Sequence, residues 1–141
     1  MILSVVDSAL PERPARLGFM TTWWVPALAG VWTLLIWGSR VRLLTGDEAA
    51  KTDVWIRIIT SLVLGAAVLA MALLARADGP ARWGVGVVWA FAGWMALVWV
   101  SSAFNVFVNE HSSAFRIVHT VLAVVSIGLA VATLWVTVQA D

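Results

Sequence analysis

In a chain of 141 residues, 62% are hydrophobic and only 12% are charged. A soluble domain carries ~25% charged residues, so this composition marks an integral membrane protein with no room for a separate soluble domain. A net charge of +1 offers no basic surface to nucleic acid, and zero cysteines exclude disulfides, thiolate metal sites and a Cys nucleophile. Ten Trp and no Tyr fit interfacial belts and helix packing, and the high Ala, Trp and Arg usage suggests a GC-rich genome.

Residues 1–21 open with a short apolar run (Ile2, Leu3, Val5, Val6, Leu10) interrupted by Asp7 and closed by Pro11 and Pro14. A secretory signal places its positive charge before the apolar core, whereas Arg13 and Arg16 follow it. This stretch reads as an uncleaved segment lying at the membrane surface. Residues 22–141 read as a single membrane domain.

The first span is expected at about residues 23–38, with Pro26 in its first turn, where a missing N–H costs little. Ser39–Asp53 then carries Arg40, Arg42, Asp47, Glu48 and Lys51, a connection in water or headgroups. The second span is expected at about 54–74, with Asp53 as its cap and Arg57 snorkelling back to the surface. Arg76-Ala77-Asp78-Gly79-Pro80 is a tight polar turn. The third span is expected at about 83–104, with a continuation to Val108 in reach, and the fourth at about 115–137 with Ser112 or Ser113 as cap. The fold class is therefore all-α, an integral membrane four-helix bundle of two hairpins.

The fourth span is the most informative. From Ile117 to Ala140, 24 residues carry no Asp, Glu, Lys or Arg, against the ~20 apolar residues a helix needs to cross a bilayer. Along it Arg116, His119, Ala123, Ser126, Ala130, Thr133 and Thr137 recur in steps of 3 and 4, the period of one helix seam. In lipid, small residues let backbones approach and hydroxyls bond across helices, so this seam is a helix-packing or pore-lining face. Gly86, Ala90, Gly93 and Ala96 form a small-residue groove on the third span; Gly65, Ala66 and Ala70 make a lesser one on the second. Trp23, Trp24, Trp55, Trp83, Trp135 and Arg57 stand at span ends as interface anchors.

The two halves resemble each other. Trp32-x4-Trp37-x-Ser39 recurs as Trp94-x4-Trp99-x-Ser101 at an offset of 62, and Arg57-Ile58-Ile59 as Arg116-Ile117-Val118 at an offset of 59. Two helices per unit make the hairpins candidates for parallel repeats about an axis along the membrane normal. Chance similarity between apolar helices is the alternative. Orientation is balanced: Arg13, Arg16, Arg76 and Arg82 lie on one side, Arg40, Arg42, Lys51, Arg57 and Arg116 on the other.

Little chemistry is visible. Arg57 and Arg116 sit within about a turn of a helix end, where anchoring explains them, and His119 reads as a hydrogen-bonding interface residue or a pH-sensitive element. His111 and His119 are the only histidines, near one helix end, which does not suit haem or a metal. Ser101, Ser102, Ser112 and Ser113 lack a nucleophile-elbow context, and Gly84-x-Gly86 is no phosphate loop. No catalytic residue, cofactor or metal is expected, and the chain reads as a non-enzyme.

VWTLLIWGSRVRLL (Val31–Leu44) and FRIVHTVLAVVSIGLAVA (Phe115–Ala132) resemble segments of small four-span membrane proteins encoded by phages of actinobacteria. Such proteins stand in lysis cassettes and are described as holin-like. The resemblance covers roughly a quarter of the chain and carries over no functional residue. The last residues, Val138–Asp141, depart from the basic tail frequent in holins. It implies a holin-like, pore-forming protein of the bacterial cytoplasmic (inner) membrane, with the bilayer and further copies of itself as partners. An accessory subunit of a larger membrane assembly (transporter, respiratory complex or phage exclusion system), bound to another membrane protein, is the alternative. A small-molecule transporter has only the paired hairpins in its favour.

Overall fold

The computed structural model describes residue 18 and residues 21–140, so the expected surface segment lies almost wholly outside the described residues. Among the described residues the chain is all-helical. Four long helices follow one another: α1 Trp24–Leu43, α2 Thr52–Asp78, α3 Arg82–Val108 and α4 Ser113–Val138. Three of them, α2, α3 and α4, are long and apolar enough to cross a membrane. Helix α1 does not reach that apolarity. Arg40 and Arg42 in its last turn lower its hydropathy most, and Trp24, Pro26, Gly30, Trp32, Thr33, Trp37 and Ser39 dilute the aliphatic content.

The helices outrun the expected spans. Helix α1 continues past Gly38 to Leu43 and carries Arg40 and Arg42 in its last turn, where cations complement the exposed carbonyls. The connection is correspondingly shorter and contains a 3-10 turn at Gly46–Glu48. Asp53 does not cap α2. Lys51 holds the cap position, and Asp53 lies inside the first turn. The Trp55 indole donates to the Ala49 carbonyl (2.8 Å), tying the first turn to the connection. Gly79 (φ 80) ends α2 in the left-handed region that favours glycine, and Pro80 follows. Ser112 does cap α4, its hydroxyl accepting from the Phe115 N–H at 3.3 Å.

Each helix packs on two neighbours in the cyclic order α1, α2, α3, α4, with the hairpin partners α1–α2 and α3–α4 in the most extensive contact. Buried positions recur at steps of 3 and 4, as in Ile58, Ser61, Gly65 and Val68 of α2 or Val88, Phe91, Met95 and Val98 of α3. Such seams suit helices that run nearly antiparallel. Helices α1 and α2 come closest at Gly30 and Gly65. A Cβ on Gly30 would stand 2.8 Å from both the Gly65 carbonyl oxygen and the Leu69 Cβ. The interior is filled by Ala29, Val68, Phe91, Met95, Trp99, Ala123 and Ala130. Large apolar side chains point the other way: Leu35, Leu74, Leu97, Phe104 and Val124 are all more than half exposed.

Candidate functional site

Polar groups collect in two places, a seam through the bundle and a vestibule at one end. The seam belongs to α4. Ala123, Ser126, Ala130, Thr133 and Thr137 are buried inside the bundle, and Arg116 and His119 are half-buried at its open end. The Ser126 hydroxyl accepts from the Trp32 indole of α1 at 3.0 Å. A counterpart crosses the other helix interface, where the Trp94 indole of α3 donates to Ser61 of α2 at 2.9 Å. Thr33 donates back to the Ala29 carbonyl at 2.8 Å. Deeper along α4, the Thr133 and Thr137 hydroxyls are fully buried with no hydrogen-bond partner among the described residues.

The vestibule lies where α1 and α3 end and α2 and α4 begin, with a volume of about 700 Å³. Trp37 and Trp99 form its floor, their ring centroids 6.3 Å apart. The Trp99 indole N–H is buried without a partner among the described residues. Arg40, Lys51 and Arg57 line the walls together with Glu48 and Asp53, Ser39, Ser102 and Asn105, and Leu43, Leu44, Val54 and Phe115 complete them. His111 and His119 also line it. Phe115 stands between the two imidazoles, stacked on His111 (centroids 4.7 Å) and tilted against His119 (3.9 Å). Each Nδ1 faces a carbonyl, that of Asn109 at 3.2 Å and that of Phe115 at 3.1 Å. A carbonyl only accepts, so Nδ1 donates in both rings. Among the described residues no three His, Asp or Glu are grouped to share a metal ion.

The small-residue faces divide. Gly65 is buried against Thr33, whereas Ala66 and Ala70 are exposed, so the three do not form one face. Gly86, Ala90, Gly93 and Ala96 are all exposed, and a Cβ on Gly86 or Gly93 would meet nothing within 4 Å. Of the anchors, Trp24, Trp83 and Trp135 are exposed and Trp23 half-buried around the end opposite the vestibule. Trp55 and Arg57, both exposed, stand at the vestibule end.

The recurrence that relates Trp32 to Trp94 does not reveal their serine partners; the only signal for Ser61 is its place on the 3–4 seam of α2. The vestibule is not legible in the sequence because its residues come from four helix ends and their connections. No family model, curated protein or solved structure matches this chain.

Proposed function

We propose that this chain is a multi-pass protein of a bacterial cytoplasmic membrane that acts by helix–helix association, in the manner of a holin-like, membrane-perturbing protein. All four helices cross the bilayer in this reading. Helix α1 rises ~30 Å over its 20 residues, which carries its uncharged part through most of the ~30 Å hydrocarbon core and brings Arg40 and Arg42 to the head groups. The distribution of side chains supports insertion: Thr33, Ser61, Ser126 and Thr133 are inside while Leu, Val and Phe cover the outside. In water such a surface would aggregate.

The observation that carries the association reading is the outward groove Gly86, Ala90, Gly93, Ala96 on α3, open to a neighbouring helix. One bundle offers no water path of its own, since Val68, Val88, Phe91 and Met95 fill its middle. A lesion would therefore form between copies. The two hairpins act as parallel repeats, a reading supported by the contact between Trp37 and Trp99.

The test is controlled expression in a bacterium with a potential-sensitive dye and in-membrane crosslinking. Crosslinked multimers and abrupt depolarisation are expected, both abolished by G86L/G93L. Unchanged potential at high expression, with monomer only, removes the proposal. Burial of the α4 seam within one bundle favours a second reading, an innocuous accessory subunit. Copurification with a different polypeptide, rather than an endolysin gene next door, would distinguish it.

A further inference from the structure

The vestibule has a composition that neither anchoring nor packing requires. We propose that it binds the zwitterionic head of a membrane phospholipid, the phosphodiester against Arg40, Arg57 and Lys51 and the ammonium against Glu48 and Asp53. The inference rests on the membrane-embedded reading of the bundle.

Three observations converge on this occupant. Arginine and lysine side chains are pure donors and suit a ligand made of acceptor oxygens, as phosphate is. The two carboxylates line the same space as the three cations, so the lining presents both signs of charge, as a zwitterionic head group does. Leu43, Leu44 and Phe115 share the walls, and Leu43 is 77% exposed. A water-soluble phosphate has no use for that apolar wall, whereas the glycerol and first methylenes of a lipid do. A volume of about 700 Å³ falls in the ~300–1,000 Å³ range of small-molecule sites, and the place is the helix ends, where head groups lie.

Arg40 and Arg57 are exposed, so their neutralisation leaves the packed interior intact. The experiment is native mass spectrometry of the purified full chain titrated with phosphatidylethanolamine and, separately, phosphatidylglycerol. Wild type should retain the ethanolamine lipid in preference. R40Q/R57Q should bind it roughly tenfold or more weakly, since each charge-assisted contact to phosphate is of that order. R40K/R57K should retain part of the binding, and E48Q/D53N should lose the preference between the two lipids. R76Q/R82Q, at the opposite end, serves as the control. Unchanged retention in R40Q/R57Q, equal loss in R76Q/R82Q, or no preference in wild type would overturn the assignment. Displacement of the lipid by glycerophosphoethanolamine at comparable concentration would assign the site to a soluble ligand and overturn the lipid source. Carbonate extraction of the same membranes keeps the premises apart: a variant that loses lipid yet stays in the pellet tests the site, while a wild type that is extracted removes the membrane reading itself.

Discussion

Trp37 of α1 and Trp99 of α3 meet at the floor of the vestibule, with centroids 6.3 Å apart and planes inclined by 57°. Both are 6% exposed. They lie 62 positions apart, the same offset that relates Trp32 to Trp94. The contact joins the two hairpins across the bundle, with one indole from each.

A double-mutant cycle on W37L and W99L measures that contact. Tilted aromatic pairs couple by about 0.5–1.5 kcal/mol beyond their buried area. Unfolding in mixed micelles should return a coupling of that size between Trp37 and Trp99 and none between Trp37 and Trp135, which points outward. Strict additivity of W37L and W99L would show that the rings do not interact.

Loss of the Ser126 hydroxyl leaves the Trp32 indole without its acceptor. Hydrogen bonds between helices in lipid average about 0.6 kcal/mol and reach about 1.7, and S126A should fall in that interval. S61A, which orphans Trp94, should behave alike. W32F in the S126A background should cost no more than W32F alone loses in packing; a full second penalty would mean the bond is not made.

Glycine positions separate by sign. G30A places a methyl at 2.8 Å from backbone and Cβ atoms of α2 that cannot swing aside, and should destabilise by about 1–3 kcal/mol. At Gly128 the same methyl meets nothing within 4 Å, and the helix propensity of alanine should stabilise by up to ~1 kcal/mol. Equal effects at the two sites would contradict the close α1–α2 approach.

Thr133 and Thr137 bury hydroxyls that find no partner among the described residues. Replacing such a group by an apolar one of the same shape relieves an unmet donor, so T133V and T137V should be neutral or stabilising by about 1 kcal/mol. Clear destabilisation of either would reveal an acceptor in the assembled protein.

Several features are legible in the sequence alone. The absence of charge over Ile117–Ala140 gives a stretch long and apolar enough to cross a membrane as a helix, the one form in which a single segment satisfies its own backbone in lipid. The 3–4 recurrence from Arg116 to Thr137 marks one face as distinct, and Ser112 carries the chemistry of a cap that α4 uses. Periodicity says that a face differs, not what covers it. Lipid tails and apolar side chains are chemically alike, so the small face of Gly86 and Gly93, turned outward, and that of Gly65, turned inward, read the same in sequence. The gathering of Arg40, Glu48, Lys51, Asp53 and Arg57 around Trp37 and Trp99 depends on how far α1 runs past Gly38 and on the register of α3 against it. Helix length and register are set by close packing across the whole bundle, and only the tertiary structure decided them.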